Sequence, residues 1–144
     1  MMVVVRISAN APCPCGRRAK LKHCCGRIHQ GRPASPPGLV RARYTAYALG
    51  LARFIIETTD PTAPHYREDH TAWRAELRDH AQRVRFEGLE IHDYAIDEEQ
   101  GTAWVSFTVR ASEDGRAAGF SERSRFLRDG NRWRYVDGDV EPGG

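Results

Sequence analysis

The sequence predicts an α+β protein in which a small cysteine-bearing unit precedes a domain of helices followed by strands. Three observations carry this. All four cysteines fall between positions 13 and 25, apolar residues recur at helical spacing through position 83, and from Val84 onward they alternate at the period of two that marks strands. Helices first and strands after, with no βαβ alternation, point to helices packed on a curved antiparallel sheet of four strands. The stretch from 38 to 144 is long enough to bury one core but not two.

The segment CPCGRRAKLKHCCG, residues 13–26, admits three readings: disulfides, reactive thiols or a metal. The N-terminus, MMVVVRIS, has too short an apolar run for a secretion signal, and no stretch approaches the roughly 20 apolar residues of a membrane span. The expected compartment is the cytosol, where thiols stay reduced and disulfides become the weakest reading. Cys13 and Cys15 flank one proline, and Cys24 and Cys25 return to supply the opposite edge. Four thiolates make a closed tetrahedral shell, the pattern of a structural zinc; a catalytic zinc keeps one position open for water. A redox pair is expected as Cys-x-x-Cys opening a helix, and that spacing is absent. Arg17, Arg18, Lys20, Lys22 and His23 lie between the pairs and lower the cost of forming thiolates. His23 is an alternative ligand in place of Cys24, its simpler reading being an exposed side chain. His29 reads as a surface histidine, or as a hydrogen-bond partner of a ligand sulfur or a carbonyl.

Residues 26–37, GRIHQGRPASPP, read as a linker between a knuckle at 1–30 and a main domain at 38–144. Val40, Tyr44, Tyr47, Ala48 and Leu51 form an apolar stripe on a first helix whose other face carries Arg41 and Thr45. LARFIIETT continues as a second helix. DPTAPHY breaks it, and Asp69 caps a third that runs to Arg83 with Trp73, Leu77 and Ala81 on one side. Strands are expected near 84–97, 102–111, 117–128 and 131–137, separated by turns at 99–101, 113–115 and 129–131. In TAWVSFTVRA, residues 102–111, Ala103, Val105, Phe107, Val109 and Ala111 face one way and Trp104, Ser106, Thr108 and Arg110 the other.

The cysteine spacing, CPCG followed by CCG, resembles the SEC-C motif, a zinc knuckle also found at the tail of the bacterial preprotein translocase motor. RARYTAYALG at 41–50 and SERSRFLRDGNRWRYVDG at 121–138 resemble the signature segments of the YchJ-like family, which joins such a knuckle to a nuclear transport factor two-like, or cystatin-like, domain. The resemblance covers most of the chain and implies Zn2+ as a structural cofactor on Cys13, Cys15, Cys24 and Cys25. One departure stands out: the family has Ser-Gly after CPCG, and this chain has Arg17-Arg18. A position needing positive φ costs a non-glycine residue about 1 kcal/mol or more, so strain is expected in this turn.

Charge is divided along the chain. Residues 1–56 carry ten cations and no acid, whereas 57–144 carry twelve cations and nineteen acids, within a formal net charge of +3. The basic end attracts an acidic protein or nucleic acid, unless the chain's own acidic half neutralises it. By resemblance to the translocase tail, which docks on an export chaperone, Arg17, Arg18, Lys20, Lys22 and Arg27 are the expected partner-binding residues. A zinc knuckle without a core of its own is expected to melt on chelation while the main domain stays folded.

In the main domain, Phe120, Glu122, Ser124 and Phe126 share the inward face of one strand. Glu122 there needs a partner, which Arg41, Arg43 or a helix tyrosine could supply. The functional reading is a cavity lined by Arg41, Tyr44, Tyr47, Glu122, Ser124 and Trp133; the structural reading, which the sequence favours, is a Glu–Arg ion pair fixing a helix on the sheet. Trp104, Trp133 and Tyr135 beside Arg132 and Arg134 suit base stacking but more simply cover core. His65, His70, His80 and His92 read as surface residues. No carboxylate pair or nucleophile with an adjacent base is visible, so no catalytic residue is assigned. The expected function is a zinc-bearing interaction module, with a ligand or catalytic cavity as the alternative and self-association through the sheet as a further expectation.

Overall fold

The computed structural model describes residues 7–143, so the N-terminal lead of the expected knuckle lies in part outside the described residues. A loop containing one 3-10 turn, Leu21–His23, leads to helices α1 (Cys25–His29), α2 (Pro36–Leu49), α3 (Ala52–Glu57) and α4 (His70–Arg83). Strands follow: β1 (Val84–Asp97), β2 (Thr102–Glu113), β3 (Arg116–Ala117), β4 (Phe120–Asp129) and β5 (Arg132–Pro142).

Local chemistry explains where the helices begin. The Ser35 hydroxyl accepts from the Gly38 amide at 3.1 Å and Pro36 occupies the first turn of α2, where its missing N–H costs nothing. Gly50, at φ 71°, ends that helix in the left-handed conformation. Asp69 accepts from the Ala72 amide at 3.0 Å, and α4 buries Trp73, Leu77 and Ala81, as their spacing predicts.

The sheet is antiparallel in the order β1-β2-β4-β5, with β3 pairing only β2. One expected strand, 117–128, is split in two. A Cβ at Gly119 would stand 2.5 Å from the Val109 carbonyl oxygen, so the chain passes too close to β2 for the ladder to continue unbroken. The last strand runs past its expected end to Pro142. Asp114 and Gly115, at φ 52° and 76°, supply the two positive values of a tight hairpin turn. Bulges at Phe86/Gly88 and Ile91/Asp93 on β1, and at Val136 on β5 opposite Arg125/Phe126, bend the sheet around the helices.

Ala103, Val105, Phe107, Val109 and Ala111 are all buried, together with Phe126. They join Leu39, Val40 and Tyr44 of α2, and Trp73 and Leu77 of α4, in one core. That same core includes Cys13, Cys15 and Cys25. The stretch 26–37 is accordingly more than a linker: it holds most of α1 and the start of α2, and Ile28 and Ala34 pack against the core. Residues 58–60 close the far edge of the sheet, Tyr135 donating to the Thr58 carbonyl and receiving from the Asp60 amide, both at 2.8 Å. Among the described residues, no helix is long and apolar enough to cross a membrane.

Candidate metal centre

The cysteine segment folds back on itself. The Cys13 amide donates to the Ala19 carbonyl at 2.9 Å, Leu21 to Ala11 at 2.9 Å and Lys22 to Ala9 at 3.0 Å, with Pro12 opposite Lys20. Gly16 turns the chain at φ 91°. Asp114 is the only non-glycine at positive φ among the described residues, so Arg17 and Arg18 cause none of the strain expected from the missing second glycine. A Cβ on Gly26 would stand 2.6 Å from the Leu21 carbonyl oxygen, which is how α1 comes close enough to return Cys24 and Cys25 to the loop.

Four sulfurs therefore converge, all within 4.8 Å of one another, with no disulfide between them. Cys13, Cys15 and Cys25 are buried and Cys24 half-buried; Cys15 and Cys24 Sγ are 3.6 Å apart. Tetrahedral ligation at a metal–sulfur distance of about 2.3 Å places sulfurs roughly 3.8 Å apart, so the spread fits one ion. Hydrogen bonds from Cys15 and Cys25 hold the Cys13 thiol far below its ordinary value, while the bond to Cys13 drives Cys25 far above it. Burial pushes Cys24 up to about 11. Four thiolates cannot coexist here on their own, and a divalent cation removes that repulsion. His23 is exposed and its Nδ1 accepts from Arg27 Nη2 at 3.3 Å, leaving Cys24 as the fourth sulfur.

Helix α2 seats this cluster. The Thr45 hydroxyl, fully buried, donates to Cys25 Sγ at 3.5 Å and lies 3.8 Å from Cys13 Sγ. Its placement corrects the expectation of a solvent-facing Thr45. His29 is half-buried instead of superficial: Nε2 donates to the Ala42 carbonyl at 2.8 Å, its ring meets Phe54 edge-on at 4.7 Å, and burial lowers its pKa.

Arg17, Arg18, Lys20, Lys22 and Arg27 are all exposed. Every ion pair formed among the described residues draws its cation from Arg53 onward, so the acidic half does not neutralise the basic end by direct contact.

A second site lies on the other side of α2. Tyr44, Tyr47, Glu122 and Ser124 line a cavity of about 330 Å³ between the helices and the sheet. Two expected members do not: Arg41 projects elsewhere, its place taken by Arg43 two residues on, and Trp133 lines a separate groove beside His29 and Arg32. The expected Glu–Arg ion pair is also absent among the described residues. Arg43 Nη1 donates instead to the Ile55 carbonyl and to the Thr58 and Thr59 hydroxyls at 3.2, 2.7 and 3.1 Å, whereas Glu122 accepts from Ser124 Oγ. His70 and His80 are half-buried, not superficial; Tyr66 and His70 hydrogen-bond at 2.9 Å, and His80 Nδ1 is buried without a partner. The aromatics proposed for base stacking are engaged within the chain: Arg123 covers Trp104 at 4.0 Å, Arg128 covers Trp133 at 5.4 Å, and Tyr135 packs against the core.

Sequence reasoning put Thr45 on the wrong face of α2 and named Arg43 only as a possible partner of Glu122, not as a member of the cavity. One signal was available. Apart from its arginines, α2 carries no charged side chain and places Ala42 and Ala46 opposite its tyrosines, as expected of a helix covered on both sides.

Comparison with known proteins finds two family models on the chain. Residues 10–27 match the model of the SEC-C motif, and residues 35–138 that of "YchJ, middle NTF2-like domain". A UPF0225 protein of Chromobacterium violaceum is 40% identical over 141 residues, spanning 92% of this chain and 95% of the relative. A UPF0225 protein of Bordetella parapertussis is 35% identical over 139 residues, spanning 92% and 96%. The solution structure of a SEC-C motif containing protein from Rhodopseudomonas palustris superposes with a TM-score of 0.72 at 31% identity, covering 90% of this chain and 98% of that one.

Proposed function

The chain belongs to the YchJ family, and from that premise we propose a metal-stabilised interaction module, in which Cys13, Cys15, Cys24 and Cys25 hold one Zn2+ and the surrounding cations dock on an acidic protein surface. The observation that carries this reading is the set of five exposed cations, without ion pairs among the described residues, on a segment three of whose four sulfur-bearing residues are buried. A shell of four protein thiolates leaves no position for water or substrate, so the ion's role is structural. Soft sulfur ligands select zinc over the hard divalent cations. Fixing the loop in advance lowers the ordering cost of binding, and four of the five cations lie between or beside the ligands they would be held by. Arginine forks suit carboxylates, and an acidic surface offers them in number.

Metal analysis of the native protein tests the first half, with one equivalent of zinc expected and none in a Cys24→Ser variant. For the second half, binding to polyglutamate at low salt is compared with a variant reversing the charge of Arg17, Arg18, Lys20, Lys22 and Arg27. Loss of binding in the variant supports the docking surface; unchanged binding removes it. Stronger binding to duplex DNA, with the steep salt dependence of phosphate contacts, would transfer the surface to nucleic acid.

A further inference from the structure

The cavity on the other side of α2 contains two opposite charges that do not meet. Arg43 is only 8% exposed and remains ionised in any protein environment. Its Nη1 is fully used by Ile55, Thr58 and Thr59, yet Nε and Nη2 make no hydrogen bond among the described residues, and no carboxylate pairs with it. The guanidinium lies 4.7 Å over the Tyr135 ring and 5.9 Å from that of Tyr47. Glu122 lines the same cavity and accepts from Ser124 Oγ; burial, followed by the negative charge of Glu122, raises the Tyr135 hydroxyl above its ordinary value. The carboxylate rests over Gly138, where a Cβ would come within 2.6 Å of Oε2, so the bare backbone leaves room for it. No cation pairs with Glu122 among the described residues. Around these two groups the lining is mostly apolar, including Trp73, Phe86, Phe107 and Phe120.

Arg43 is nearly enclosed and Glu122 half-buried; a charge drawn partly out of water without a counter-charge is costly, and a ligand that supplies the counter-charge is favoured there. A ligand bearing only a carboxylate would satisfy Arg43 but leave a net negative charge beside Glu122 in an apolar enclosure. One bearing only an amine would do the reverse at Arg43. A zwitterion satisfies both ends and keeps the enclosure neutral. The volume, about 330 Å³, lies at the lower end of small-molecule pockets and excludes nucleotide-sized ligands. Exposed His65 and Val140, the latter 54% exposed, mark the entrance.

We infer that this cavity binds a small zwitterion with an apolar side chain, of the α-amino acid class, its carboxylate on Arg43 Nε and Nη2, its ammonium on Glu122 and its side chain among the phenylalanines. The test is a titration of the full, metal-loaded chain followed by amide NMR, using L-phenylalanine, L-leucine, 3-phenylpropionate and phenethylamine at one pH and ionic strength. One of the two amino acids is expected to move the Ser124, Tyr135 and Gly138 amides saturably, and both single-charge analogues to bind at least tenfold more weakly. Glu122→Gln, nearly isosteric, is expected to weaken the amino acid while leaving or improving phenylpropionate. The comparison among ligands needs no variant, so a folding defect in Glu122→Gln does not shelter the idea. Phenylpropionate binding as well as the amino acids, or no saturable shift with any of the four, overturns it.

Discussion

The two sides of α2 were built in opposite ways. Toward the cysteine loop, Ala42 and Thr45 meet a site whose four ligands lie within thirteen residues of sequence and whose backbone hydrogen bonds are nearly all local. Toward the cavity, Arg43, Tyr44 and Tyr47 meet Glu122, Ser124 and Tyr135, which arrive from strands some eighty residues away. A metal collects its ligands by bond strength and tolerates a short loop; a cavity has no such agent and depends on the whole fold for its shape. Yet the two sites share one core, since Cys13, Cys15 and Cys25 are continuous with Leu39, Ala42 and Phe54. The local site should therefore influence the distributed one.

Metal removal is the strongest way to break that comparison. Binding to the folded state alone contributes about 4 kcal/mol at a thousandfold excess of free metal over its dissociation constant. With the cluster inside the common core, stripping the metal should lower one unfolding transition of the entire chain. This replaces the sequence-based expectation of an independent knuckle. Thermal melts followed in the far ultraviolet, with and without chelator, read it directly; a loss of metal that left the melting temperature unmoved would separate the two sites.

A smaller effect sharpens the contact between them. Thr45→Val keeps the shape and removes the hydroxyl shared by Cys13 and Cys25, and should cost about 1 kcal/mol in the denaturation midpoint. If the same variant bound metal and unfolded like the parent, the hydroxyl would be packing alone.

The smallest effect lies on the cavity side. Burial, followed by the nearby Arg83, holds His80 below its ordinary 6.5. The folded state thus prefers the neutral ring while the unfolded chain takes up a proton near 6.5, so this stability is present above that pH and is lost as pH falls toward the folded value. His80→Gln should flatten the decline between pH 7 and 5, measured by denaturant titration at fixed metal occupancy. An unchanged slope would mean that His80 titrates as an exposed residue.

Much of the fold was legible because its signals are local. The alternation from Ala103 to Ala111, the Asp69 cap and the Asp114-Gly115 turn each depend on a few adjacent residues, and each appears where it was expected. The division between β3 and β4 was not legible, because Gly119 is required by the approach of β2 and not by its own neighbours. Among site residues, the cysteines advertised themselves by spacing. Arg41 and Arg43 could not be told apart in sequence, because a two-residue step on a helix turns the side chain to another face and only the position of the sheet says which face is inside.

By itself, the sequence determined the order of helices and strands, the inward residues of α4 and β2 and the convergence of four thiols, since backbone periodicity and short-loop geometry act within a few residues. Tertiary structure alone decided that the thiols would rest on Thr45, that Arg43 would be buried without a carboxylate, and that Glu122 would line the same cavity as Arg43. These depend on how α2 is rolled between loop and sheet, an angle set by the packing of the whole core and written in no single stretch of the chain.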